Sequence, residues 1–404
     1  MGTVVIVGGG ASGMAAAVEA GRLGKKTLLL EQNEKLGKKI YITGKGRCNF
    51  TNACEPDVFM DSIFEGKNFA YSSVWHLPPE RLIDMLNSVG LKSVIERGNR
   101  VFPESSKASD VTKAFEKLMR QNGTEIRLGQ KVGSIVVEGN RVVGVVSNGQ
   151  EIFADSVILA TGGKSYPSTG SDGNGYDLAA KLGHTVSALR PALTGMAAKK
   201  EDISGLVGLS LKNTKAELRE NGKPVAADFG EMLFTHNGIS GPIILTLSCH
   251  CGNSAQYEVA LDLKTGLTSE ALDRRMLSDF KKNTNKSAKY CLDGLLPKRL
   301  AEFVVAKSGI NPSKPINQIT AYERLALVGM LKEFRIKIEG LNGYNEAIIT
   351  AGGISLSAIK PSTLESKLVG GLFFAGEMLA VHGYTGGFNL QLAFSTGSLA
   401  GYSA

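Results

Sequence analysis

Residues 3–31 constrain the fold more than any other stretch of this chain. Thr3, Val4, Val5, Ile6 and Val7 form a short run of β-formers, the pattern of a buried parallel strand. Gly8-Gly9-Gly10-Ala11-Ser12-Gly13 follows and satisfies G-x-G-x-x-G at Gly8, Gly10 and Gly13. An Ala-rich helix through Met14-Ala15-Ala16-Ala17-Val18 comes next, with Gly24 where a helix C-terminal glycine sits. A second apolar strand, Thr27-Leu28-Leu29-Leu30, ends on Glu31. Gly8 permits the tight turn, Gly10 lets a pyrophosphate approach the backbone, and Gly13 lets helix and strand pack closely. The helix N-terminus offers unpaired N–H groups to phosphate oxygens. Glu31 lies 18 residues past Gly13, near the ~20 expected of the carboxylate that holds a ribose hydroxyl. In this order the parts predict a dinucleotide-binding βαβ unit.

A length of 404 residues predicts two to three domains with a sizeable core. The 49 glycines exceed the usual ~7% and suit several close approaches of backbone to ligand. The five cysteines (Cys48, Cys54, Cys249, Cys251, Cys291) show no disulfide framework. Cys249-His250-Cys251 lacks a second ligand pair at zinc spacing, so the cysteines read as reduced core residues and no metal is expected. No apolar run approaches the ~20 residues of a bilayer span, and the N-terminus carries no basic leader. The expectation is a cytoplasmic protein with no membrane partner. The formal charge of +8 is concentrated at Lys25, Lys26, Lys35, Lys38, Lys39, Lys45 and Arg47, and again between Arg274 and Lys289. Without interleaved aromatics or a known motif, a diphosphate ligand and a solvated helical face explain it better than a nucleic-acid partner.

Further along, Gly37 to Asn52 is rich in glycine and basic residues and reads as an anion-binding loop. Amphipathic helices are expected over Pro78–Asn87 and Ala108–Gln121, and a hairpin from Val132–Val137 to Val142–Val146 around Gly139-Asn140. Ser156 to Ala160 is a strand running into Thr161-Gly162-Gly163, which lets the chain pass close to a flat ligand. Ser171-Asp172-Gly173-Asn174-Gly175 starts another helix but lacks the dinucleotide spacing, so one such fingerprint is present. From Thr194 to Leu263 the pattern predicts short strands with turns at Gly205, Asn221-Gly222 and Asn237-Gly238, and helices follow from Ser269. After Tyr344 the nucleotide-fold style returns, with strands at Ile348–Thr350 and Leu372–Phe374. The last helix carries small residues, Ala393, Ser395, Gly397 and Ala400, suited to a tight approach to a cofactor or strand.

The N-terminal fingerprint, Gly46-Arg47-Cys48-Asn49, Ala160-Thr161-Gly162-Gly163, the run Phe234-Thr235-His236-Asn237-Gly238-Ile239-Ser240-Gly241-Pro242 and the segment Gly383 to Gln391 together resemble the HI0933-like flavoprotein family. That family includes the bile-acid-operon flavoprotein reductase and aminoacetone oxidase. The resemblance covers essentially the whole chain. It implies an α/β protein with a Rossmann-like FAD-binding domain of the two-dinucleotide-binding type (residues 1–193 and 345–404). A β-barrel-like substrate domain (194–268 and 318–344) and a small helical domain (269–317) would be inserted. Non-covalent FAD is the implied cofactor and NAD(P)H an implied transient co-substrate.

Carried over motif by motif, Gly8, Gly10, Ala11, Ser12 and Gly13 would cradle the pyrophosphate, with Glu31 and Gln32 at the adenosine ribose. Lys39, Gly46, Arg47 and Cys48 would line the diphosphate and ribityl side. Val132 would meet adenine, Thr161, Gly162 and Gly163 would lie beside the cofactor, and Gly376 and Glu377 would hold the ribityl chain. Gly387, Phe388, Asn389 and Leu390 would start the last helix and aim its positive end at the flavin's pyrimidine carbonyl. The chain departs from the family's pattern at Phe388, where a tyrosine is expected, and at His382, where relatives carry an acidic residue.

Hydride chemistry belongs to the flavin, and the protein positions substrate and handles protons. Tyr166, His236, His382 and Tyr384 are the candidate acid/base side chains. The leading reading is an NAD(P)H-driven reductase of an activated C=C bond in a small molecule such as a 3-oxo-4-ene steroid or bile-acid intermediate. The alternatives are an amine oxidase of the aminoacetone type, and a flavin-dependent RNA-associated or redox-sensing protein.

Overall fold

The computed structural model describes residues 2–252 and 256–404. The chain divides into two compact units, residues 1–191 with 344–404, and residues 192–343.

In the first unit the fingerprint folds as β1 (Thr3–Val7), α1 (Ala11–Arg22) and β2 (Lys26–Glu31). α2 (Ala108–Gln121), β3 (Glu125–Leu128), β4 (Ser156–Leu159), β5 (Leu372–Phe374) and α3 (Phe388–Ser403) complete the frame. The sheet runs β5-β4-β1-β2-β3, all parallel, with Val5 opposite both Leu28 and Val157. Successive side chains point to opposite faces. Val4 and Ile6 therefore join Leu29, Ile158, Phe115 and Phe394 on one side, while Val5 and Val7 join Leu28, Val157 and Phe374 on the other. Burial on both faces is why the strand reads as an unbroken apolar run.

α1 stops where the sequence predicts. The Lys25 N–H donates to the Ala20 carbonyl and the Gly24 N–H to that of Gly21, with Gly24 at φ +77°. Of the small residues of α3, Gly397 and Gly401 approach α1, while Ala393 lines the cavity at the carboxyl ends of the strands. A Cβ added at Gly397 would sit 2.0 Å from the Ser12 carbonyl oxygen, and one at Gly401 2.2 Å from that of Ala16. The predicted hairpin forms as Val132–Glu138 and Arg141–Ser147, and a third antiparallel strand, Gln150–Phe153, joins it. That strand is four residues long, too short to carry a periodic signal. Of the two strands read after Tyr344, Leu372–Phe374 enters the parallel sheet and Ile349–Ala351 lies outside it.

The second unit is a closed six-stranded antiparallel barrel. Two of its strands, Ser210–Glu220 and Lys223–Phe234, are 11 and 12 residues long, which corrects the expectation of short strands throughout. Asn221 and Gly222, both at positive φ, make the two-residue turn between them. Gly205 instead follows a short helix, Lys200–Ile203, and Pro242–Ser248 is helical. Helices Ser269–Lys282 and Lys298–Lys307 pack Leu272, Met276, Leu300 and Val304 into the same core as Val259, Phe334 and Ile336 of the barrel. The helical segment expected as a separate domain therefore shares its core with the barrel. Among the described residues, no helix is long and apolar enough to cross a membrane.

Candidate functional site

Gly8 turns the chain out of β1 at φ +107°, and a Cβ there would lie 2.5 Å from the Ala160 carbonyl oxygen. Gly13 is tighter still, since its Cβ would meet the Gly8 carbonyl at 1.8 Å. Gly10 caps α1 with no side-chain hydrogen bond, and a Cβ built on it meets nothing within 4 Å. Its backbone thus faces open space at the helix N-terminus, where first-turn N–H groups have no intrahelical partner. Glu31 is buried and orders the loop: its carboxylate accepts from the Gly9 N–H at 2.6 Å, the Asn33 N–H at 2.8 Å and Asn33 Nδ2 at 2.7 Å.

This loop forms one wall of a cleft with about 1380 Å³ of empty space, counting its open mouth. The ends of β1 (Val7) and β2 (Leu30), with Ala160 just past β4, also line it, so it opens at the carboxyl ends of the strands where ligands of such sheets bind. Gly8, Gly10, Ala11, Ser12, Glu31, Gln32, Lys39, Val132, Thr161, Gly162, Gly376, Glu377, Asn389 and Leu390 all line this cavity.

The remaining sequence candidates sit elsewhere. Gly13, Gly163 and Gly387 pack against the Gly8 carbonyl, Glu377 and the Thr51 carbonyl respectively. Phe388 is buried, with its ring 5.3 Å from that of Phe59. Gly46, Arg47 and Cys48, expected on the diphosphate side, are not in the lining. Arg47 is bound instead to Glu96 and lies 4.3 Å over the Phe102 ring. Cys48 is fully buried, which pushes its thiol up to about 12.

Of the four acid/base candidates, His382 lines the cavity. Tyr166 is held by its backbone N–H on the Tyr344 carbonyl, Tyr384 lies with its ring 5.7 Å from that of Phe64, and His236 is an exposed loop residue of the other unit. His382 is 2% exposed, and burial, with the charge of Arg190 adding to it, lowers its pKa to about 4. The ring is therefore neutral at pH 7.

Lys39 and Glu377, 338 residues apart, meet in the cavity wall at 2.9 Å. Glu377 also accepts from Ser165 Oγ at 2.7 Å and the Thr350 N–H at 2.8 Å. Burial pushes the Glu377 carboxyl up, but the Lys39 charge and these hydrogen bonds more than offset it and hold it below the usual carboxylate range. Sequence reading missed other lining residues, among them Asn33, Gln130 and Ile348. Asn33 had a signal, an amide side chain two positions past the ribose carboxylate. Ile348 had none, because an apolar residue at a strand start reads as core; it is 40% exposed.

A parallel sheet, a glycine loop at its carboxyl edge and a cleft beside that loop define a dinucleotide-binding protein. The chain belongs to the HI0933-like protein Rossmann domain family, whose profile matches residues 2–403. It is 34% identical to the 3-dehydro-bile acid delta(4,6)-reductase of Clostridium scindens, over 100% of this chain and 99% of that one. It is 30% identical to the ribosomal RNA dihydrouridine synthase of Escherichia coli, over 97% and 95% of the two chains. Among solved structures, the 3-ketosteroid-delta4-(5alpha)-dehydrogenase of Rhodococcus jostii superposes with a TM-score of 0.50 at 18% identity, covering 99% of this chain and 96% of the other. A flavocytochrome c3 fumarate reductase does so with a TM-score of 0.50 at 18% identity, over 100% and 78%. These two likenesses show the fold alone. The protein is an FAD-dependent oxidoreductase.

The residues present fit that cofactor. Open space at Gly10 and the forced glycine at Gly8 suit a pyrophosphate against bare backbone, and His382 adds to the same cavity a buried polar group without a hydrogen-bond partner among the described residues.

Proposed function

We propose that this protein reduces a carbon–carbon double bond conjugated to a carbonyl, with NAD(P)H as the transient hydride source. The observation that carries the reading is a neutral, buried imidazole, His382, in the same cavity as the apolar side chains Ile348, Ile349 and Val381. Such a wall suits a flat, hydrocarbon-rich acceptor, and saturating its double bond needs one proton besides the hydride.

In this reading Gly8, Gly10, Ala11 and Ser12 hold the FAD pyrophosphate, Glu31 the adenosine ribose and Val132 the adenine. Lys39 and Glu377 hold the ribityl side. The α3 N-terminus at Asn389 and Leu390, which line the cavity, would offer its positive end to the pyrimidine carbonyl, where a helix dipole favours negative charge. Bound FAD supplies hydride transfer. His382 handles the proton, and the apolar wall keeps water from competing for it.

The two curated relatives agree on reaction type. The name of the first gives the double bonds it reduces, delta(4,6), and that of the second the hydrogenated product, dihydrouridine. The first supports a steroid-like enone as substrate. A second reading, uridine in ribosomal RNA, is favoured by the formal charge of +8 together with the second relative.

Anaerobic titration of the yellow protein with NADH and then NADPH tests the proposal. The flavin's visible band should bleach, then return on addition of either a 3-oxo-4-ene steroid or a uridine-containing ribosomal RNA fragment. Which one restores it decides between the two substrates. Absence of bleaching removes the nicotinamide step, and amines are then tried as direct donors.

A further inference from the structure

We propose that Glu65 is the positioning residue that sets the tautomer and orientation of His382, so that the two form a proton-handling dyad at the cavity wall. The proposal rests on the reading of His382 as the residue that exchanges the substrate's proton.

Neither ring nitrogen of His382 has a hydrogen-bond partner among the described residues, although the residue is 2% exposed. Leaving such a group without a hydrogen bond is costly, and a ring kept that way in a cavity wall is poised for a ligand. A short antiparallel pair holds it there: His382–Gly383 lies against Ile63–Glu65, with His382 opposite Glu65. That register places Nδ1 3.3 Å from the Glu65 carboxylate. The Phe64 ring, 5.4 Å from the imidazole, limits its swing. The Glu65 side chain is 40% exposed and that of His382 is 3% exposed, so the carboxylate reaches water and the ring does not.

A carboxylate at Nδ1 selects the Nδ1–H tautomer and leaves Nε2 for the cavity. The 3.3 Å contact is not yet aligned as a hydrogen bond, and catalytic hydrogen bonds of this kind tighten when ligands fill the site. The other charges acting on the ring are Arg190, which opposes its protonation, and Glu377, which favours it while paired with Lys39. Glu65 therefore offsets Arg190 when the ring carries a proton. In the reduction, NAD(P)H is the source of the two electrons that form the new C–H bond at one alkene carbon, a hydride transfer that bound FAD would mediate. The ring is neutral at rest, so Nε2 first takes up a proton; that Nε2–H bond then breaks, its electron pair stays on nitrogen, and the proton goes to the other carbon. Each proton reaches Nε2 from solvent by way of the open mouth of the cavity.

The test uses wild-type holoenzyme and the variants Glu65→Gln, Glu65→Asp and His382→Asn. Imidazole ¹⁵N shifts of the oxidised holoenzyme report the tautomer without any turnover, and the signal lost in His382→Asn identifies the ring. Glu65→Gln should move that signal away from the Nδ1–H form. It should also lower kcat by roughly tenfold, with KM within about twofold, and shift the pH–rate profile to lower pH; Glu65→Asp should restore most of each. If His382→Asn is inactive while Glu65→Gln keeps the wild-type shifts, kcat and profile, the dyad is wrong and the proton role of His382 stands. If His382→Asn keeps full turnover with an unchanged profile, both readings fall.

Discussion

The two sides of the cavity are built on opposite principles. At the glycine loop the ligand-facing groups are backbone, and the one carboxylate, Glu31, is already satisfied by three donors. At the Lys39–Glu377–His382 side the groups are side chains, and one of them, His382, has no hydrogen-bond partner among the described residues. A backbone site fails when a side chain is added; a side-chain site fails when a partner is taken away. The two sides should therefore respond to different substitutions.

The largest effect should come from Gly13→Ala. Its new Cβ has no room beside the Gly8 carbonyl, so fold and cofactor should be lost together, with destabilisation above about 4 kcal/mol. Gly10→Ala breaks the comparison most cleanly, because nothing surrounds its Cβ except the cavity. FAD affinity should fall by roughly 100-fold, the scale of one lost charge-assisted hydrogen bond, while the melting temperature of the FAD-free protein stays put. A parallel fall in melting temperature would show that the position serves packing rather than phosphate.

On the side-chain wall, acid should act through His382. Its folded pKa, about 4, lies below the ordinary 6.5. Between those values the unfolded chain binds a proton that the folded chain does not, so stability falls as pH falls from 6.5 toward 4. The loss approaches about 3 kcal/mol at the bottom of that window. His76 and His184, also lowered by burial, act in the same direction. Glu377 acts lower: its carboxyl is held below 4.5, so its contribution is present above that value and is lost as pH falls through the folded pKa. Urea titrations at pH 7, 5.5 and 4.5 should show the slope, and His382→Gln should flatten its upper part.

The smallest effect should be that of Lys39→Met, which leaves the Glu377 carboxylate without its cation. Because both side chains keep about a fifth of their surface exposed, the cost should be nearer about 2 kcal/mol than the full penalty of a buried unpaired charge. Adding Glu377→Gln should recover much of it in a double-mutant cycle. Recovery of none would mean that Ser165 and the Thr350 N–H alone hold the carboxylate.

Much of the frame can be read from the residues in order. Thr3 to Glu31, the helix over Ala108–Gln121 and the hairpin around Gly139-Asn140 all appear where periodicity and turn chemistry place them. The cavity side with backbone donors was legible for the same reason: a glycine spacing is a local backbone requirement. Arg47 and Cys48 show where motif reasoning stops. They sit in a glycine-rich basic loop, yet Glu96 and Phe102 claim the guanidinium, and the thiol turns into the core. Gln150–Phe153 shows a second limit, a strand made by its neighbour's hydrogen bonds rather than by its own pattern.

The sequence by itself determined the dinucleotide unit, because strand, turn, helix and acid are each specified within a few residues of one another. Tertiary structure alone decided which side chains would share the wall with that unit. Lys39 meets Glu377 across 338 residues, and His382 meets Glu65 through a pairing between two very short strands. It also decided which acid/base candidate would line the cavity, leaving Tyr166, His236 and Tyr384 outside it. Such contacts are set by the register and packing of elements distant in the chain, and no local pattern of residues carries that information.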